Sequence, residues 1–144
     1  MEVRTVMTRK VVTVDMDDTL RTIYGIFKKV EFHHVPVVER ARLSGVISDH
    51  DILRYMSPFV GTPSQLSRDE ATMNKRAHQI MSRRPVTIMK HQNVHQAIAL
   101  LLEKKVSCLP VVSSQGHVEG IVTWRDLMKA CLMPADKTES GVPS

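Results

Sequence analysis

A chain of 144 residues with 42% apolar side chains is long enough to bury a core and too hydrophobic to be a disordered segment. Its net charge of +5 points only weakly to an anionic partner, because the basic residues come as scattered pairs (Lys28–Lys29, Arg83–Arg84, Lys104–Lys105) and not as one stripe. With 4% aromatics there is no stacking platform for single-stranded nucleic acid, and apolar runs such as Ala97–Leu102 fall far short of a membrane span.

The N-terminus, "MEVRTVMTRK", has no apolar stretch of a secretory signal, so a cytoplasmic protein is expected. Cys108 and Cys131 sit in apolar sequence surroundings and read as buried free thiols in a reducing compartment. The β-branched run "VVTV" (11–14) predicts a strand. Asp18 or Thr19 then offers a helix cap, and Leu20, Ile23, Phe27 and Val30 recur at spacings of three and four along one face. Runs 35–38 and 43–47 predict an antiparallel hairpin, with Pro36 near a strand start or on an edge because it has no N–H to give. A short helix, Asp49–Met56, follows. In the linker, residues 57–76, Pro58, Gly61 and Pro63 break regular structure; Ser67-x-x-Glu70 predicts a capping box and a helix to about Met81.

The same order then returns. "PVTI" (85–88) predicts a strand, and Asn93 caps a helix whose apolar face is Val94, Ala97, Ile98 and Leu101. Runs 109–112 and 118–122 form a second hairpin, and Trp124–Leu132 a last helix. The tail, 133–144, is polar and is expected to be disordered. Laid residue 7 on residue 81, the halves match: Met7-Thr8 falls on Met81-Ser82, "VPVV" (35–38) on "LPVV" (109–112). The offset grows from 74 to 75 within the second hairpin turn, "SSQGH". The fold class is therefore α+β: two β-α-β-β-α repeats, residues 3–56 and 77–132, covering each other's sheets around a pseudo-twofold axis. One repeat of about 55 residues would bury too little surface alone.

Each repeat ends its hairpin with one phrase, "GVISDHD" (45–51) or "GIVTWRD" (120–126). Ser48-x-x-Asp51 and Thr123-x-x-Asp126 each fit a capping box, which needs no ligand. Three features favour a site. Glycine stands three residues before each hydroxyl, where a side chain could obstruct a ligand. The box partner is aspartate both times, although glutamate reaches back better. A basic or potentially basic residue, His50 or Arg125, precedes each aspartate. A hydroxyl and a carboxylate aimed at one spot suit the vicinal hydroxyls of a ribose, and helix-start N–H groups beside His50 or Arg125 suit phosphate.

The doubled pattern, with "PVV" upstream of G-h-h-[S/T]-x-x-D (h, apolar), resembles a tandem pair of CBS domains, a Bateman module, from about Val3 to Leu132. The first repeat departs twice: its turn, "ERARLS", lacks the usual glycine, and Ile23 stands where such helices carry alanine. The resemblance implies a regulatory module that binds an adenosine-containing ligand (AMP, ADP, ATP or the S-adenosylmethionine class) in clefts between the repeats and dimerises. It implies ribose contacts from Ser48, Asp51, Thr123 and Asp126. It implies base pockets lined by Thr13 and Val14, by Thr87 and Ile88, and by the backbone around Val35–Pro36 and Leu109–Pro110. Phosphate candidates are His50, Arg54 and Arg125.

Other sites do not assemble. His33 and His34 are adjacent and point opposite ways on an extended chain, Asn93 caps the helix between His91 and His95, and no spacing completes a metal set. No nucleophile motif or phosphate loop is present. Trp124 and the nine methionines read as packing. The expectation is a non-enzymatic sensor, needing no cofactor, that forms a homodimer and signals to an unknown effector protein. Its rivals are a ligand-free interaction module and a basic nucleic-acid-binding protein.

Overall fold

The computed structural model describes residues 1–132; the tail 133–144, expected to be disordered, lies outside the described residues. A single helical turn, α1 (Val3–Val6), leads into β1 (Val14–Asp15), α2 (Leu20–Lys29), β2 (His34–Glu39), β3 (Arg42–Ser48) and α3 (Asp49–Tyr55). The linker holds α4 (Ser67–Ala71) and a 3-10 turn, Thr72–Asn74. The second half runs α5 (Ala77–Ile80), β4 (Ser82–Arg83), α6 (Val94–Lys104), β5 (Cys108–Val112), β6 (Val118–Thr123) and α7 (Trp124–Leu132). The long helices begin where capping side chains stand: Thr19 accepts from the Thr22 amide at 3.3 Å and Asn93 from the Gln96 amide at 2.8 Å.

Several elements are shorter than the sequence predicts. Of "VVTV" only Val14 joins a ladder, with Asp15, and of "PVTI" only Ile88 pairs, in a single parallel bridge to Val111. The residues before them pack elsewhere: Val11 against a small cluster of Val46, Cys108 and Ile121 drawn from both repeats, and Val86 against the core of its own repeat. The helix from Ser67 to Met81 is broken. The Leu66 amide donates to Asp69 Oδ2 at 2.8 Å, so the N-terminal bond uses Asp69 and not Glu70. The chain then turns extended at Lys75, whose carbonyl accepts from the Leu20 amide at 2.7 Å, and α5 restarts as the counterpart of α1. Cys131 is exposed, not buried as expected from its neighbours, while Cys108 is buried and desolvation pushes its thiol up to about 12.

The repeats exchange their leading segments. The Val3 amide donates to the Gln92 carbonyl (2.7 Å) and the Arg4 amide to the Lys90 carbonyl (3.0 Å), both in the second repeat. The counterparts, Ala77 to Asp18 at 2.8 Å and His78 to Met16 at 3.1 Å, run the other way. Val3 is thereby fully buried in the core of Ile88, Ala97, Leu101, Leu109, Val111, Val122 and Leu127. Ala77, Ile80 and Met81 are buried with Val14, Leu20, Ile23, Val35, Val37, Ile47 and Ile52. Neither core is closed by its own repeat alone. The sheets follow suit: β4 pairs antiparallel with β3, giving the order β1-β2-β3-β4, and Thr8 bridges Ile121 of β6 in the equivalent place.

Candidate functional site

The exchange explains the glycines of the repeated phrase. A β-carbon on Gly45 would lie 2.8 Å from the Ser82 carbonyl oxygen, and one on Gly120 equally close to the Thr8 carbonyl oxygen. Each glycine thus admits the other repeat's leading backbone, where the sequence had pointed to room for a ligand.

Both hydroxyl–carboxylate pairs form capping boxes. The Ser48 amide donates to Asp51 Oδ2 at 2.8 Å and the Asp51 amide to Ser48 Oγ at 3.1 Å. The Thr123 amide donates to Asp126 Oδ2 at 3.0 Å and the Asp126 amide to Thr123 Oγ1 at 3.4 Å. Those bonds use one oxygen of each carboxylate, and both aspartates still border open space. Two clefts adjoin between the repeats. One, about 580 Å³, is walled by Val46, Ser48 and Asp51 of the first repeat and by Ser82, Pro85, Val86, Val106, Cys108 and Pro110 of the second. The other, about 600 Å³, joins Thr8, His33, Asp49 and His50 to Ile121, Thr123, Arg125, Asp126 and Lys129. Either volume is within the range of small-molecule sites. Ser48, His34, Ser107 and Trp124 border both.

The partition between the clefts is a contact between repeats: His34 Nε2 lies 2.9 Å from Ser107 Oγ. Burial holds the His34 pKa below its ordinary value, against the pull of Asp49, which favours the neutral ring. Beside it, His33 Nδ1 lies 2.8 Å from Asp49 Oδ2. Partial burial works to raise the Asp49 pKa, but the His33 hydrogen bond, the His50 amide and the charges of both histidines together lower it.

Of the residues assigned from the family pattern, Asp51 stands on one cleft, Thr123, Asp126, His50 and Arg125 on the other, and Ser48 on both. Pro110 lines the Asp51 cleft. Val14, Val35, Ile88 and Leu109 are core residues, Pro36 is fully buried, and Thr13 and Thr87 are exposed away from both clefts. Arg54 is exposed on α3 and borders neither. Sequence reasoning gave no role to Thr8, Ser82, Lys105, Lys129, His34 or Ser107. A signal existed for two pairs: Thr8 and Ser82 are repeat equivalents, and Lys129 stands four residues after Arg125, on the same helical face. Trp124 both packs on the second core and borders the clefts. Among the described residues no group of three or more His, Cys, Asp or Glu side chains could hold a metal ion, and no helix is long and apolar enough to cross a membrane.

The CBS domain family model matches residues 3–58 and 77–132, the two units that exchange their leading segments. The chain belongs to the CBS domain family. A CBS domain-containing protein of Dictyostelium discoideum is 30% identical over 128 residues, 88% of each chain. Other relatives are longer: the chain spans 49% of the uncharacterized protein MJ1225 of Methanocaldococcus jannaschii, at 26% identity. Among solved structures, CBSX2 of Arabidopsis thaliana in complex with AMP superposes with a TM-score of 0.76 at 25% identity, covering 91% of this chain and 96% of that one. The CBS domain pair of protein MJ0100, in complex with 5'-methylthioadenosine and S-adenosyl-L-methionine, gives 0.75 at 22% identity, with 91% and 95% covered. The architecture is thus a CBS pair, α+β with two repeats.

Proposed function

We propose that this CBS pair is a regulatory sensor that holds an adenosine-containing nucleotide between its repeats and transmits the resulting change to a partner protein. One observation carries the reading: each open cleft joins a hydroxyl–carboxylate pair of one repeat to the leading segment of the other. A ligand there touches both halves, so its binding energy differs between arrangements of the two repeats, which is what a switch requires. The AMP complex of CBSX2, at 25% identity, supports the adenine nucleotide class.

In this reading Ser48 with Asp51, and Thr123 with Asp126, bind ribose. Val46, Val86, Val106 and Pro110 offer apolar walls for a base in the Asp51 cleft, with Lys105 at its edge for a phosphate. His50, Arg125 and Lys129 serve phosphate in the other. Leu53 and Met128, repeat equivalents on α3 and α7, are 71% and 66% exposed, and this doubled apolar face is where a second copy would pack to form a homodimer.

A second reading has its own observation. Both aspartates are already engaged by their helix starts, as in a module whose clefts bind nothing and which serves only protein contacts. A thermal-shift comparison of AMP, S-adenosylmethionine and GMP separates the two. An adenine ligand at a hundredfold excess over its Kd adds about 2.7 kcal/mol, or roughly 5–10 °C in Tm. An unmoved Tm with every ligand favours the interaction module.

A further inference from the structure

The two clefts are repeat equivalents, yet their carboxylates are in different states. Asp126 accepts three hydrogen bonds. Its Oδ2 takes the Thr123 amide at 3.0 Å and the Thr123 hydroxyl at 3.2 Å, and its Oδ1 takes the Thr8 hydroxyl at 3.1 Å from the opposite repeat. Asp51 has one bond, from the Ser48 amide to Oδ2, and its Oδ1 has no partner among the described residues. The equivalent of Thr8 is Ser82, which borders the Asp51 cleft without bonding its carboxylate. A ribose needs two acceptor positions on one carboxylate to take both vicinal hydroxyls. Of about four lone-pair positions on a carboxylate, Asp51 has all but one open and can take both hydroxyls, whereas Asp126 has all but one filled and must first lose Thr8.

We infer that the two clefts are unequal receptors: the Asp51 cleft takes the nucleoside first, and Thr8 acts as a built-in competitor that holds the Asp126 cleft in reserve. This rests on the adenosine reading above and deepens it. Thr8 is a positioning residue on the first repeat's leading segment, which also pairs with Ile121 and presses on Gly120. A ligand that displaces its hydroxyl from Asp126 therefore acts on the strap joining the repeats. Filling the first site and filling the second have different structural consequences: only the second disturbs that strap.

The test is calorimetric titration of AMP into the whole chain and into Thr8→Val and Thr8→Ser. The wild type is expected to show one tight site, with a second at least about tenfold weaker. Thr8→Val, which keeps the shape and removes the donor, is expected to tighten the second site by about tenfold or more, a change of about 1.4 kcal/mol per tenfold. Thr8→Ser keeps the hydroxyl and is expected to behave as the wild type. Asp51→Asn is expected to remove the tight site and leave the weak one. Two equal sites in the wild type, a second site unmoved by Thr8→Val, or a tight site that survives Asp51→Asn each overturn the inequality while leaving the adenosine reading standing. No heat with the wild type or Thr8→Val overturns both.

Discussion

Gly120 faces the backbone of Thr8 so closely that a β-carbon on it would lie 2.8 Å from the Thr8 carbonyl oxygen. Those residues are far apart in sequence, and the mirror relation, Gly45 against Ser82, is as tight. Because the obstacle is backbone, it cannot swing aside as a side chain would. Gly120→Ala and Gly45→Ala are each expected to destabilise by about 1–3 kcal/mol, the cost of overpacking. Urea unfolding reads this as a lower midpoint with the slope unchanged. A midpoint equal to the wild type would mean that the leading segments do not seal the opposite repeat.

Asp51 has two tasks, closing the α3 capping box and facing the cleft. Asp51→Ala is expected to lose about 0.5–1.5 kcal/mol of stability with the bond from the Ser48 amide and to abolish the tight AMP site. Asp69→Ala is the control. That carboxylate closes α4, with its pKa lowered by the Leu66 amide and then by the Ser57 hydroxyl, and it borders neither cleft. It is expected to lower Tm while leaving the nucleotide-induced shift intact.

His34 makes stability depend on pH. Its pKa is lowered by burial in the folded chain, whereas the unfolded chain takes up a proton near the ordinary value of about 6.5. Stability is therefore fully present above about pH 6.5 and is lost as pH falls through the lower folded value. The expected result is a fall in Tm between pH 7.5 and 5.5 that is smaller in His34→Gln, which keeps a polar group facing Ser107. An equal fall in both proteins would remove His34 as the cause.

The first hairpin turn carries left-handed residues without glycine: Arg40 at φ 51° and Ala41 at φ 67°. A β-carbon in that region costs roughly 1–2 kcal/mol, partly offset for glycine by its freer unfolded chain. Ala41→Gly is thus expected to stabilise by about 0.5–1 kcal/mol, seen as a Tm increase of a few degrees. A lower Tm would show that the turn is not strained.

Much of this architecture was legible because the phrase is written twice. Duplication exposed the hairpins, the helix caps at Asn93 and Thr123, and the pairing of Asp51 with Asp126. Less visible were features that depend on partners distant in sequence. Thr8 and Ser82 carried a doubled signal with no assigned role, since nothing local shows that Thr8 donates to Asp126. The resemblance makes Val14 and Ile88 pocket walls, yet each pairs with the middle of the hairpin's first strand, Val37 or Val111, and is buried by it. The linker helix failed for a related reason. Its residues have helical pattern to Met81, but the Lys75 carbonyl is drawn out to bond Leu20. A strained turn at Arg40–Ala41 is likewise invisible to composition, and only the missing glycine hinted at it.

The decisive measurement is a crystal structure of the chain grown with AMP. AMP is expected between the repeats, with its ribose hydroxyls within hydrogen-bond distance of the Asp51 carboxylate and its base against Val86 and Pro110. AMP absent from both clefts at saturating concentration, or bound with its ribose remote from Asp51 and Asp126, would contradict that expectation.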